Sequence, residues 1–204
     1  EINFINKVKN EKKNIFGYFP TWRPDGMELF RDIDQPEDLK KINNTLEKTN
    51  SLLLIKSHMN SDKKDKNVMY NENIEKITTY MQTLKNLRFI NYDFDLNSVL
   101  SLCDVLISDY SGVIFDYLLQ DKAIITYAPD YIEFKANNGF CLDPIDNNFT
   151  HYAKNIDELN GYIAEFCSDK NFFNDKFKDQ RRRIKNQVFL SEEGFDKIIN
   201  TIKN

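Results

Sequence analysis

The stretch Val105-Leu106-Ile107-Ser108-Asp109-Tyr110-Ser111-Gly112-Val113-Ile114-Phe115-Asp116-Tyr117 changes periodicity in its middle. Val105 to Ile107 reads as a buried strand, and Val113 to Leu119 resumes as the apolar stripe of a helix. Between them, Ser108, Asp109, Ser111 and Gly112 form a small polar break. A strand that turns through hydroxyls and glycine into a helix presents backbone N–H groups and a positive helix end to an anion. In an α/β domain that is where a phosphate is held, so a nucleoside-diphosphate ligand is the first expectation.

Working outward, the flanking segments alternate in the same way. Ile15 to Phe19 reads as a strand ending at Pro20, followed by the turn Arg23-Pro24-Asp25-Gly26. Pro36, suited to a first helical position, opens a helix to about Thr49. Leu52 to Lys56 is a nearly continuous apolar run, as expected of a strand buried on both faces. A polar loop covers Ser57 to Asn67, and Leu87 to Ile90 is a third strand. Asp95 is placed to cap a short helix, Leu96 to Leu102, and Ala123 to Tyr127 is a fifth strand closed by Ala128-Pro129-Asp130. Later, Asn155-Ile156-Asp157-Glu158 resembles a capping box for a helix to about Cys167. A charged helix near Asn174 to Asn186 and a last helix capped by Ser191 follow. The expected fold is therefore α/β: a Rossmann-like, mostly parallel sheet flanked by helices, with C-terminal helices, in one domain over residues 1–204.

Composition narrows the classes. The 204 residues suffice for one full core, and 41% apolar with 29% charged residues suits an ordered globular chain. A net charge of −4 gives no basis for nucleic-acid binding. Arg181-Arg182-Arg183 with Lys185 is a dense basic spot, read as a solvated helix face or, alternatively, an anionic membrane or polymer contact. The three cysteines Cys103, Cys141 and Cys167 lack C-x-x-C spacing, which argues against a disulfide framework or zinc site and fits a reducing cytosol. No apolar run approaches the roughly 20 residues that span a bilayer, and the charged start Glu1 to Lys13 does not resemble a signal peptide.

Ligands of such sheets sit beyond the carboxyl ends of the strands. Several chemistry-bearing side chains fall there. Arg23 offers a bidentate fork for phosphate charge, Thr21 a hydroxyl, and Trp22 a wall or core ring. Lys56 ends its strand beside His58, and strand alternation can turn Lys56 to the other side. His58 is suited to donate to a phosphate or relay a proton near neutrality, the alternative being a surface histidine. Ser111 with the amides of Gly112 and Val113 makes a candidate pyrophosphate cradle; Ser111 can also simply cap the helix. Asp109 either supports this loop or holds a ligand hydroxyl, and must turn away from a pyrophosphate. Asp116, one helical turn after Gly112 on the same face, can accept both ribose hydroxyls, or be a solvated acid. No metal constellation is present: in Asp93-Phe94-Asp95 the second carboxylate is better explained as the helix cap. His151 has no motif around it.

These strand ends carry a resemblance. Phe19-Pro20-Thr21-Trp22-Arg23, Ile55-Lys56-Ser57-His58, Ser108 to Tyr117 and Tyr127-Ala128-Pro129-Asp130 resemble, in order, the P-T-W-R, K-x-H-P, D-Y-S-S-x-x-x-D-Y and Y-x-x-D segments of the CDP-glycerol glycerophosphotransferase family, the teichoic-acid and capsule polymerases. Gly139-Phe140 and Val188-Phe189 to Gly194 look like its closing segments, so the similarity runs from about Ile15 to Ile202. Two residues depart from the pattern: Gly112 stands where a second serine is usual, and Met59 where proline is usual.

The resemblance implies the donor-binding half of a GT-B fold. The partner N-terminal domain, with the family's H-G histidine, has no counterpart among the two histidines here, His58 and His151. It implies His58 and Arg23 as catalytic residues, and Thr21, Asp109, Ser111, Gly112, Val113, Asp116 and Asp130 as donor-binding residues, with Asp130 toward the donor's glycerol. No cofactor is implied beyond the donor, CDP-glycerol or a related CDP-polyol. The implied partners are a polyol-phosphate or capsular polymer acceptor and the missing N-terminal domain. The implied location is cytoplasmic and peripheral to the inner face of the bacterial plasma membrane. A non-catalytic nucleotide-binding or interaction module, and a GT-B glycosyltransferase using a nucleotide sugar, remain the rival readings.

Overall fold

Six short runs of the described residues pair edge to edge into one sheet: β1 (Asn14–Tyr18), β2 (Ser51–Ile55), β3 (Leu87–Phe89), β4 (Val105–Ser108), β5 (Ala123–Tyr127) and β6 (His151–Ala153). The computed structural model describes residues 2–11, 13–21, 36–56, 79–90 and 93–189. Every pairing is parallel, and the order is β3-β2-β1-β4-β5-β6. The chain thus builds outward from β1 in one direction, returns, and builds outward in the other, so the direction reverses between β1 and β4. The expected Rossmann-like parallel sheet is the one observed.

Alternation along each strand sends side chains to two separate cores. Phe16, Tyr18, Leu53, Ile55, Val105, Ile107 and Ile125 face one side, where α2 (Pro36–Lys48) and α6 (Ile156–Ser168) cover them with Leu39, Ile42, Leu46, Leu159, Ile163 and Phe166. Ile15, Leu52, Leu54, Leu106 and Ile124 face the other, under α1 (Ile2–Asn10), α3 (Leu96–Leu102), α4 (Val113–Tyr117) and α8 (Lys178–Val188). Each fully buried leucine or isoleucine in these layers contributes about 1.5–3 kcal/mol. Gly17 in β1 is required by close approach: a Cβ there would lie 2.5 Å from the Sγ of buried Cys103 and 2.5 Å from the Phe19 ring.

Helix starts follow the local chemistry. Asp95 accepts from the Ser98 amide at 2.7 Å, and Asn155 from the Glu158 amide at 2.9 Å, as the sequence indicates for both caps. Asp95 thus spends one carboxylate oxygen on its cap, and no group of three or more His, Cys, Asp or Glu residues placed to hold a metal ion occurs among the described residues.

Several expectations change. The edge strand β6 is absent from the sequence reading because its three residues, His151, Tyr152 and Ala153, carry no β-branched signal. The helices α1 and α5 (Tyr131–Asn138) are likewise added. The charged helix predicted near residues 174–186 is two helices, α7 (Lys170–Asp175) and α8. The basic triplet is not a uniformly solvated face. Arg181 is 1% exposed and its guanidinium donates to the Asn174 carbonyl, while Arg182 is exposed and pairs with Asp121 at 3.2 Å. One of the three charges is therefore withdrawn from any membrane or polymer contact. The predicted Arg23–Gly26 turn, the Ser57–Asn67 loop and the helix capped by Ser191 lie outside the described residues.

No helix among the described residues is long and apolar enough to cross a membrane.

Candidate functional site at the reversal of the sheet

The reversal between β1 and β4 opens a crevice beyond their carboxyl ends, the place where open parallel sheets hold ligands. Its floor is sewn together by hydrogen bonds from the two strand ends. The Phe19 amide donates to the Ile107 carbonyl at 3.0 Å, and the Ser108 hydroxyl to the Phe19 carbonyl at 2.5 Å. Thr21 then donates twice to one carboxylate oxygen of Asp109, from its amide at 2.8 Å and from its hydroxyl at 2.6 Å. Asp109 is 7% exposed. Its negative charge is turned onto Thr21, which keeps a buried carboxylate solvated by donors rather than by water. These two bonds are the contacts expected of the first role open to Asp109, support of the loop. The Thr21 hydroxyl proton is spent on the same contact.

After Asp109 the chain passes through the loop Tyr110-Ser111-Gly112 into α4. Ser111 accepts from the Val113 amide at 3.4 Å through its hydroxyl and from the Ile114 amide at 3.1 Å through its carbonyl, so it caps the helix locally. The amides of Ser111 and Gly112 have no partner among the described residues. The helix itself is shorter than predicted: five residues, followed by a 3₁₀ turn Leu118–Gln120 that ends at Asp121 with φ 52°. So short a helix adds little macrodipole, and the anion-binding capacity of this end rests on the loop amides and the Ser111 hydroxyl. Asp116 is exposed one turn further on, on the face above Gly112.

Gly112 has ordinary helical torsions, φ −55° and ψ −20°, and an added Cβ there meets nothing within 4 Å. The position therefore does not need glycine. Gly112→Ser is expected to fold unchanged and to gain up to about 1 kcal/mol from reduced chain entropy; a urea melt reads this, and a destabilisation of similar size would show that the backbone here is not helical.

On the β5 side the Tyr110 hydroxyl donates to Asp130 Oδ1 at 2.9 Å, and the Tyr110 ring stacks on Phe134 with centroids 3.9 Å apart and planes 19° apart. Phe140 lies 5.3 Å from Tyr110. Beside them Tyr131, Lys135, Asp143 and Asp146 form a polar knot: Tyr131 donates within reach of Asp143 at 2.8 Å and Asp146 at 2.9 Å, and Lys135 donates to the Tyr131 oxygen at 2.9 Å. Burial and these carboxylates push the Tyr131 phenol up to about 12, while hydrogen bonds to Asp146 and Tyr131 hold Lys135 protonated above the usual lysine range. On the β2 side, Lys56 sends its ammonium to the Phe94 carbonyl at 2.9 Å, bracing the entry to α3.

The structure thus brings Thr21, Asp109, Ser111, Gly112, Val113, Asp116 and Asp130 to one end of the sheet. Trp22, Arg23, Ser57, His58 and Met59 lie outside the described residues. Tyr110, Phe134 and Phe140 are additional residues of this end; an aromatic in a loop of otherwise small polar residues was the sequence signal for the first of them. A cavity of about 350 Å³ lined by Lys13, Glu47, Lys85 and Arg88 lies at the opposite edge, where β1, β2 and β3 begin. Its cations are already paired, Arg88 with Glu11 at 2.7 Å and Lys85 with Glu47. It is no rival to the reversal crevice.

A parallel sheet that reverses between β1 and β4, with small polar loops at that point, defines a Rossmann-like α/β domain. The chain belongs to the family of CDP-Glycerol:Poly(glycerophosphate) glycerophosphotransferases, whose model matches residues 5–202. It is 31% identical over 145 residues to a teichoic acid poly(glycerol phosphate) polymerase of Bacillus spizizenii, a match covering 66% of this chain and 31% of that enzyme. Its fold matches the wall teichoic acid polymerase TagF with a TM-score of 0.61 at 17% identity, over 89% of this chain and 41% of that one. It also matches Anabaena HepE in complex with UDP-glucose, with a TM-score of 0.58 at 12% identity, over 100% of this chain and 53% of that one. The chain therefore spans under half the length of the polymerases it matches.

Proposed function

We propose that this chain is the donor-binding domain of a CDP-glycerol or CDP-polyol glycerophosphotransferase that extends a teichoic-acid-like or capsular polymer and releases CMP. The observation that carries this reading is the reversal crevice: the family's D-Y-S segment, here Asp109 to Ser111, lies at the point where a doubly wound sheet receives a nucleotide. The Ser111 and Gly112 amides and the Ser111 hydroxyl hold the pyrophosphate, Asp116 the ribose hydroxyls, and Asp109 and Thr21 keep the loop in place.

The terminal hydroxyl of the acceptor attacks the β-phosphorus, the bond to the bridging oxygen breaks, and that oxygen departs with CMP. His58 and Arg23, assigned from the family pattern, stabilise charge on the transferring and leaving phosphates. The acceptor's proton passes to a base on a partner N-terminal domain, so the chain alone binds donor and turns over poorly. No metal or cofactor is needed for this scheme. The chain works at the inner face of the bacterial plasma membrane, where the polymer grows.

Calorimetric titration with CDP-glycerol, CDP-ribitol, CMP and UDP-glucose tests this. Cytidine diphosphates are expected to bind most tightly. Tighter binding of UDP-glucose would replace the reading by a nucleotide-sugar transferase, and no binding of any of the four would leave an interaction module. In the complete enzyme, His58→Ala is expected to abolish transfer while leaving the thermal midpoint unchanged; undiminished turnover would remove His58 from the mechanism.

A further inference from the structure

Asp130, which the sequence offers as a contact to the donor's glycerol, stands in a geometry that suits another task. Its Oδ1 accepts the Tyr110 hydroxyl at 2.9 Å. Tyr110 immediately precedes Ser111, so where its side chain is held fixes the backbone leading into the Ser111 and Gly112 amides. The ring is further held by its stack on Phe134. Phe134 sits four residues after Asp130, and its own amide donates to the Asp130 carbonyl at 2.8 Å, so the two Tyr110 contacts come from one rigid turn. One residue earlier, Asp109 is bonded to Thr21 on the β1 side. The phosphate loop is thereby anchored on both sides of the crevice. Gly112, exposed and without a side chain, has no anchor of its own.

We infer that Tyr110 and Asp130 are positioning residues, a clamp that presets the Ser111 and Gly112 amides for the donor's pyrophosphate; this rests on the donor-binding reading above. A clamp serves any ligand bearing the diphosphate, because it acts through the loop. A glycerol contact serves only the ligand that carries glycerol. The two roles therefore separate on ligand choice.

The experiment compares the chain with Tyr110→Phe, Asp130→Asn, Asp130→Ala and the double variant Tyr110→Phe/Asp130→Ala. Binding of CDP and of CDP-glycerol is measured by calorimetry, and the amide resonances of Ser111 and Gly112 are followed without nucleotide. Tyr110→Phe and Asp130→Ala are each expected to weaken both ligands alike, by about tenfold, the loss of one hydrogen bond to a charged acceptor. Asp130→Asn keeps the accepting oxygen and is expected to retain most of the affinity. The double variant is expected to be no weaker than either single one, since both remove the same bond. The two amide resonances are expected to move in both single variants. Asp130→Ala weakening CDP-glycerol alone would overturn the clamp in favour of a glycerol contact. A lowered thermal midpoint with unchanged affinities and resonances would reduce the pair to a folding contact and overturn it too. If the unsubstituted chain binds neither ligand, the donor-binding reading fails, and unmoved amide resonances then remove the clamp by themselves.

Discussion

Asp109→Ala is expected to lower the thermal midpoint by about 4–8 °C and to weaken binding of cytidine diphosphates by at least about tenfold. The first figure follows from the two donors that Thr21 spends on one Asp109 oxygen, at 2.8 and 2.6 Å. Hydrogen bonds to a charged group are worth about 1.5–3 kcal/mol each, but Thr21 is only half-buried and water re-solvates it, so the net cost is about 2 kcal/mol. At this chain length each kcal/mol corresponds to roughly 2–4 °C. The second figure follows from what the bond joins: the ends of β1 and β4, whose loops form the crevice. Once it is cut, the Ser111–Gly112 loop keeps its β5-side anchor and loses its β1-side anchor. Simple charge reasoning predicts the opposite sign for binding, since deleting a carboxylate beside a pyrophosphate relieves repulsion. A calorimetric titration of the alanine variant decides between them, and tighter binding would show that Asp109 faces the ligand. Asp109→Asn, which retains an acceptor for Thr21, is expected to fall between the variant and the unsubstituted chain in both measurements.

Much of this architecture was legible in the sequence because its signals are local. The continuous apolar runs of β2, β4 and β5 announce strands buried on both faces, and Asp95 and Asn155 announce helix starts through bonds reaching three residues ahead. What was not legible depends on partners far apart in the chain. Thr21 and Asp109 are 88 residues apart, and Tyr110 and Asp130 are 20 apart. Spacing alone showed that each pair shares an end of the sheet, not that its members are bonded. The short length of α4 was hidden because Leu118 and Leu119 continue the apolar stripe while the backbone tightens into a 3₁₀ turn. Arg181 was misjudged for a related reason. Three consecutive arginines look equivalent in a sequence, but successive helical positions point about 100° apart, so one of them meets the core beside Ile184 while Arg182 reaches solvent.

The second large effect concerns His151, remote from the crevice. Its ring is 1% exposed, stacked on Phe173 at 3.7 Å with planes 5° apart, and flanked edge-on by Tyr162 and Phe177. Nε2 lies 3.2 Å from the Phe173 carbonyl, which can only accept, so the proton of the neutral ring sits on Nε2. Nδ1 is then the buried lone pair, and it has no hydrogen-bond partner among the described residues. Protonating it would place a cation among aromatic rings with no acceptor for the new N–H among the described residues, and Lys176 and Arg181 add like-charge repulsion. Burial accordingly pulls its pKa from the ordinary 6.5 down to about 4. The unfolded chain takes up a proton below pH 6.5 that the folded chain refuses until about pH 4. Stability is therefore unaffected by this group above pH 6.5 and falls through the window between the two values, by about 3 kcal/mol in all. Urea unfolding of the chain and of His151→Phe at pH 7 and at pH 4.5 checks this. Phenylalanine keeps the stack and cannot titrate, so the chain is expected to lose about 2–3 kcal/mol more than the variant on acidification. Equal losses in the two proteins would mean that His151 is protonated in the native state, with an acceptor for Nδ1–H.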